Sequence, residues 1–182
     1  MSTIPAVDAA TATREQAAAL ADVRKALGSV PNMAKVMANS PAAVKAWLAL
    51  SGALGEGTLP APVRERLALA TAEYNQCGYC LSAHTFLASK VAKVEEAEIE
   101  LARKASSADP HIAALLELSD AIARNRGAVS EVELQQARAA GVTDEEIIEL
   151  VGNLALNILT NYTNILADTD NELPAVRPLQ HA

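Results

Sequence analysis

The sequence has few aromatic side chains. Phe, Trp and Tyr make up only 3% of its 182 residues, whereas 51% are hydrophobic, mainly Ala, Leu, Ile and Val. A chain of this length can bury a sizeable core, and here that core must consist of small and branched aliphatic side chains. Closely packed helices suit such a composition better than an aromatic-rich β-sandwich does.

Positive charge is also scarce. The 15 Lys and Arg residues are outnumbered by 22 Asp and Glu residues, which gives a net charge of −7 and leaves no dense basic cluster. Binding to nucleic acid or to an anionic membrane surface is therefore not expected. Residues 1–13 lack the basic region and apolar run of a signal peptide. Four asparagines interrupt the most apolar late segment, 150–166, which argues against a membrane span. These features favour a soluble, cytoplasmic protein.

Capping residues and glycines divide the chain into helical segments. Thr13, Ser130 and Thr143 each stand three residues before a Gln or Glu, which is the spacing of a capping box. No segment alternates apolar and polar residues as a strand would. The pattern predicts an all-α fold of about eight or nine helices. The predicted helices lie near residues 13–27, 33–37, 40–54, 61–89 (on either side of the cysteine pair), 95–105, 109–127, 130–141 and 143–168.

The helical pattern indicates one domain with irregular ends. We expect a disordered N-terminus over residues 1–12, a single helical domain over 13–170 and an extended tail over 171–182. Two of the three histidines, His111 and His181, lie outside any recognisable motif and are expected at the surface.

The last predicted helix carries a row of asparagines. Asn153, Asn157, Asn161 and Asn164 are spaced by four, four and three residues, so they share one broad face of an otherwise apolar helix. This face is interpreted as solvent-exposed, as a polar seam against a partner helix or subunit, or, least expected, as a direct contact to substrate.

Both cysteines lie in one short segment, residues 73–84. On a helical wheel of about 100° per residue, Glu73, Cys77, Cys80 and His84 share one face. Cys80 and His84 are i, i+4 neighbours, so the imidazole can reach that sulfur and lower the pKa of the thiol. A peroxide would oxidise Cys80 to a sulfenic acid, and Cys77 would condense with it to form a disulfide.

Other interpretations of these residues stay open. Two buried cysteines and a core histidine can be purely structural. A metal could take Cys77, Cys80 and His84 as three ligands. Glu65 or Glu73 would then be the fourth, although a structural zinc site usually takes a second Cys/His pair, which this sequence lacks. We expect no metal and no cofactor. The alternative to an enzyme is a redox-sensing or metal-binding helical oligomer.

Two segments around the cysteines resemble a known family. Residues 64–70 (RERLALA) and 75–85 (NQCGYCLSAHT) are similar to the alkylhydroperoxidase D-like branch of the carboxymuconolactone decarboxylase family. Residues 27–32 (LGSVPN), 39–42 (NSPA) and 157–164 (NILTNYTN) resemble its peroxidase-related subgroup. The resemblance covers most of residues 20–170.

The resemblance implies an all-helical homotrimer or homohexamer that reduces hydroperoxides through a CxxC disulfide and is recycled by an unidentified dithiol reductant. Cys80 would be the peroxidatic cysteine, Cys77 the resolving cysteine, and His84 part of a proton relay. The family's relay acid lies twelve residues before the first cysteine, where this chain has Glu65. Because the family breaks the helix before the motif, Glu65 is favoured over Glu73.

One position departs from the family's pattern. The family's best-characterised peroxidases carry a histidine between the two cysteines, where this chain has Tyr79. A phenol with a pKa of about 10 is a poor proton relay at neutral pH, so Tyr79 is only a possible accessory residue. The decarboxylase branch lacks the CxxC pair, which makes decarboxylation the less expected reaction.

Overall fold

A computed structural model describes residues 2–179. Within that range the chain forms nine α-helices and no β-strand, as the all-α prediction requires. A π-helical turn, Leu87–Val91, extends the fifth helix. The helices are α1 (Arg14–Leu27), α2 (Asn32–Met37), α3 (Pro41–Gly55), α4 (Ala61–Tyr74), α5 (Gly78–Phe86), α6 (Glu96–Ala102), α7 (Pro110–Arg124), α8 (Glu131–Ala139) and α9 (Asp144–Ala167).

The predicted caps form as their spacing indicates. Thr13, Ser130 and Thr143 each accept a hydrogen bond from the backbone N–H three residues on, and the side chain at that position bonds back to the cap. These reciprocal bonds satisfy N–H groups that the first turn of a helix leaves without partners. Gly28 ends α1 in the left-handed conformation, at a φ of 76°, which glycine adopts without steric cost.

Helix α4 is the centre of the domain. It packs against α5, α6, α7 and α9, and residues 67–73 are buried without interruption. The main hydrophobic cluster surrounds it and includes Leu67, Leu69 and Leu81 together with both cysteines. A second cluster joins α1, α2 and α3 around Trp47, and Tyr79 packs against both clusters.

The chain breaks between α4 and α5. Helix α4 ends at Tyr74, and Gln76 takes a left-handed φ of 60°. Cys77 then becomes the N-cap of α5. A single wheel through residues 73–84 is therefore wrong, because the left-handed residue re-aims the axis before the first cysteine. As the resemblance implied, the two sides of the site come from two helices.

Both ends of the described chain contact the helical body. In the segment 2–12, the backbone N–H of Thr3 donates to Ala167 O at 2.7 Å and that of Val7 donates to Lys35 O at 3.0 Å. Residues 171–179 form neither helix nor strand and lie against α5, where Gly78 faces the carbonyl of Val176. The division into disordered N-terminus, domain and tail stays a prediction, and His181 lies outside the described residues.

No helix within residues 2–179 is both long enough and apolar enough to cross a membrane.

Candidate active site

The two cysteines are free thiols in the protein interior. Cys77 is 1% exposed and Cys80 is 3% exposed. The backbone N–H of Cys80 donates to Cys77 Sγ over 3.3 Å, so the sulfur of Cys77 caps the N-terminus of α5. The positive end of a helix stabilises a thiolate at this position.

Hydrogen bonding between the thiols makes them unequal. The Cys80 side chain donates to Cys77, and this bond outweighs burial and holds the pKa of the Cys77 thiol below its usual value, with His84 adding a smaller charge effect. The same bond, together with burial and the neighbouring Cys77 charge, raises the pKa of Cys80 well above the usual range. The lower pKa of the pair therefore belongs to Cys77 and the higher one to Cys80.

His84 pairs with Glu65 across two helices. The His84 Nδ1 atom lies 2.8 Å from Glu65 Oε2, and both side chains are 21% exposed. Burial lowers the pKa of His84. The charge and hydrogen bond of the Glu65 carboxylate raise it by more than burial lowers it, so the net shift is upward. The imidazolium charge acts on Cys77 as well. From the i, i+4 spacing, His84 was expected to lower the pKa of Cys80; in the structure its charge lowers the pKa of Cys77.

Glu73 is engaged elsewhere. Its Oε2 accepts a hydrogen bond from Arg103 Nε at 2.9 Å, in an ion pair whose side chains are 3% and 9% exposed. Its other carboxylate oxygen accepts from the backbone N–H of Leu179 in the tail. The structure thus brings Glu65, and not Glu73, to His84, while Glu73 fastens α6 and the tail to α4.

The asparagine row of α9 is buried, and its C-terminal end reaches Cys80. Asn153, Asn157, Asn161 and Asn164 are each 5% exposed or less, so the solvent-exposed interpretation is wrong. Asn164 Nδ2 donates to Cys80 Sγ at 3.3 Å, and Asn161 Oδ1 accepts from Asn75 Nδ2 at 2.9 Å. Asn161 and Asn164 thus form a polar seam against the α4–α5 junction and α5 of the same chain, whereas Asn153 and Asn157 bond within α9.

Tyr79 holds the tail and does not face His84. Its hydroxyl donates to Glu172 Oε1 at 3.0 Å and accepts from the backbone N–H of Met33 at 3.2 Å. Burial, reinforced by the Glu172 charge and opposed by the Met33 N–H, raises the pKa of this phenol. A phenol that stays protonated at neutral pH is a hydrogen-bond donor, and it anchors residues 171–179 over α5.

Ser82 provides a second anchor for the tail. Its Oγ accepts from Asn171 Nδ2 at 2.8 Å and from the backbone N–H of Val176 at 2.9 Å. The same hydroxyl donates to Gly78 O at 2.8 Å. The tail therefore lies across the N-terminal half of α5, which begins directly after Cys77 and contains Cys80.

Several residues of this environment were missed from the sequence. The spacing of the asparagines indicated a shared face but not its partner, and nothing in the pattern linked Arg103, Ser82 or Glu172 to the cysteines. Within residues 2–179, no group of three or more His, Cys, Asp or Glu side chains is arranged to hold a metal ion.

Comparison with known proteins identifies the fold. Residues 41–123 match the model of the carboxymuconolactone decarboxylase family. The alkylhydroperoxidase D core of a peroxidase-related protein from Ralstonia eutropha JMP134 superposes with a TM-score of 0.81 at 23% identity, over 94% of this chain and 92% of that one. A peroxidase-related protein from Silicibacter sp. TM1040 gives a TM-score of 0.76 at 21% identity, over 92% and 89%.

A debrominase has the same fold. A cysteine-to-alanine variant of the debrominase Bmp8, in complex with 2,3,4-tribromopyrrole, gives a TM-score of 0.75 at 16% identity, over 93% of this chain and 91% of that one. A search of curated protein sequences gave no significant match. The matched segment, residues 41–123, contains both cysteines, His84 and Glu65, and the chain as a whole has the alkylhydroperoxidase D-like fold.

Proposed function

We propose that this protein is a thiol peroxidase that cycles between a Cys77/Cys80 dithiol and a disulfide. The observation that carries the proposal is the buried pair of free thiols beside the His84–Glu65 ion pair. A thiolate attacks a peroxide, and a neighbouring imidazolium supplies the proton that the leaving oxygen needs.

The reaction balances with residues of this chain and two external partners. One thiolate attacks the terminal oxygen of ROOH, so that an S–O bond forms, the O–O bond breaks, and RO⁻ leaves and takes a proton from His84. The second thiol then displaces hydroxide from the sulfenic acid to form the disulfide and, with one more proton, water. An external dithiol reduces the disulfide. Glu65 orients His84 and favours its protonated form.

A titration of free thiols tests the cycle. One equivalent of hydrogen peroxide should remove both thiols together from the reduced protein, and a dithiol reductant should restore them. Steady peroxide consumption with that reductant should be abolished by Cys80→Ser, and also by Cys77→Ser, because no second thiol is then left to form the disulfide. Full activity in Cys80→Ser would refute the mechanism. Reversible disulfide formation without turnover would favour a redox sensor.

Reductive debromination is a second candidate. The debrominase shares the fold of this chain. In this chain both cysteines belong to the main hydrophobic cluster, which favours an apolar substrate. A dithiol can convert R–Br to R–H while it becomes a disulfide, with release of bromide and a proton. Bromide release from 2,3,4-tribromopyrrole, measured beside peroxide consumption with the same reductant, decides between the two reactions.

We also propose that the protein is a homo-oligomer, a trimer or a hexamer. Helix α9 exposes large apolar side chains near both of its ends, and large exposed apolar surfaces mark interaction sites. These side chains, between 47% and 71% exposed, are Ile148, Val151, Tyr162, Ile165 and Leu166. Sedimentation should give an oligomer that Leu166→Glu dissociates, whereas Leu27→Glu, 51% exposed on α1, should not. A monomeric wild-type protein would contradict this.

A further inference from the structure

Two carboxamides of α9 point at the sulfur of Cys80. Asn161 is fully buried and Asn164 is 3% exposed. Asn164 Nδ2 donates to Cys80 Sγ at 3.3 Å. Both amides lower the pKa of this thiol, against the stronger effects of Cys77 and burial. The two side chains are one helical turn apart, so they approach the sulfur from the same side.

Each carboxamide keeps one atom without a protein partner. Within residues 2–179, Asn161 Nδ2 and Asn164 Oδ1 are buried and have no partner at full hydrogen-bond distance, although Asn161 lies close enough to Cys80 to lower the pKa of its thiol. The large majority of buried polar atoms in proteins are paired, and an unpaired one is costly. The neighbouring Asn153 and Asn157 differ, because their amide nitrogens donate to carbonyls of their own helix, Glu149 O and Asn153 O. A free donor and a free acceptor thus flank the reactive sulfur.

We propose that Asn161 and Asn164 bind the terminal hydroxyl of a hydroperoxide next to Cys80 Sγ. A hydroxyl group has one proton to donate and lone pairs that accept. Asn161 Nδ2 donates to its oxygen, and Asn164 Oδ1 accepts its hydrogen. The site therefore takes peroxides with a free O–H, that is, hydrogen peroxide and alkyl hydroperoxides, and discriminates against peroxides with both oxygens substituted. This subsite rests on the proposed peroxidase function.

With this subsite, Cys80 is the thiol that attacks the peroxide oxygen, and the Cys77 thiolate is the base that deprotonates Cys80. The Cys80 proton passes along its hydrogen bond to the Cys77 thiolate, and the resulting Cys80 thiolate attacks the hydroxyl oxygen held by the two amides. The S–O bond forms as the O–O bond breaks, and His84 protonates the departing RO⁻. The new Cys80 sulfenic acid keeps the same two hydrogen bonds. His84 then takes the proton from Cys77, whose thiolate forms the disulfide and expels hydroxide.

Single-turnover oxidation of the reduced protein by hydrogen peroxide tests the subsite. Asn161→Leu and Asn164→Leu keep the side-chain shape but remove the hydrogen-bonding atoms. Each should slow thiol loss by about 100-fold, the usual effect of deleting one preorganised donor at a reacting oxygen. Asn157→Leu is the matched control, since it is equally buried on the same face but bonds within its helix. Equal slowing in all three variants, or in none, would overturn the proposal.

A second measurement does not depend on turnover or on the stability of the asparagine variants. In the Cys77→Ser/Cys80→Ser double variant, no thiol can react with tert-butyl hydroperoxide. The side-chain amide resonance of Asn161 should shift on titration with this ligand and should not shift with di-tert-butyl peroxide, which lacks the O–H. Absence of a shift, or an equal shift with both ligands, would overturn the subsite. If the shift is selective for tert-butyl hydroperoxide but the wild-type protein consumes no peroxide, only the proposed peroxidase function is refuted.

Discussion

The Nδ1 atom of His84 lies 2.8 Å from Oε2 of Glu65, although the two residues belong to separate helices. The carboxylate raises the pKa of the imidazole despite its burial. A folded-state pKa above the unfolded value of about 6.5 means that this pair stabilises the fold fully below that value. The contribution is lost as the pH rises through the raised pKa of the folded protein.

Glu65→Gln should lower the pKa of His84, because it removes the charge that favours the imidazolium. NMR titration of the His84 ring resonances measures this directly, and peroxide consumption near neutral pH should fall by about 100-fold, within the range of general acid–base effects. Glu73→Gln is the comparison variant. Equal pKa values of His84 in wild type and Glu65→Gln would rule out the relay pair.

Arg103→Met should destabilise the fold strongly. It leaves the Glu73 carboxylate, 3% exposed, without its ion-pair partner, and an uncompensated buried charge costs about 3–5 kcal/mol. Urea unfolding measures the loss. Arg138→Met is the control, since it breaks an ion pair whose side chains are 48% and 79% exposed and should cost at most about 1 kcal/mol. Similar losses in the two variants would contradict the assignment of Glu73 to a structural role.

Tyr79→Phe should leave the pH dependence of peroxide consumption unchanged between about pH 6 and 9, because a phenol with a raised pKa does not titrate there. Its stability should fall by about 1 kcal/mol from loss of the hydrogen bonds to Glu172 and Met33. A pH profile displaced in this variant would make Tyr79 a member of the proton relay.

Ser82→Ala should speed the alkylation of the thiols. The hydroxyl accepts two hydrogen bonds from the tail, and loss of about 1 kcal/mol of tail attachment would raise the population of the open form by about fivefold. The rate of reaction of the reduced protein with N-ethylmaleimide measures this opening. Ser89→Ala, on the π-helical turn, is the control. An unchanged rate in Ser82→Ala would show that reagents reach the thiols by another route.

Much of the fold was predictable because its signals are local. Thr13 and Gln16, or Ser130 and Glu133, bond to each other within one helical turn, so their spacing alone indicates where α1 and α8 begin. The CxxC pair four residues before His84 is likewise a local signal that the sequence shows directly. The break at Gln76 was not visible in the apolar periodicity, because a single left-handed residue changes the direction of the chain without changing its composition.

The sequence by itself determined the all-helical class, the starts of the helices with capping boxes and the presence of two thiols with a histidine nearby, since these depend on residues a few positions apart. Only the tertiary structure decided which groups surround the thiols. Asn164 is 84 residues from Cys80, and Glu172 is 93 residues from Tyr79. Such contacts follow from how α9 and the tail pack on α4 and α5, where burial of apolar surface sets the arrangement and the polar groups pair within it.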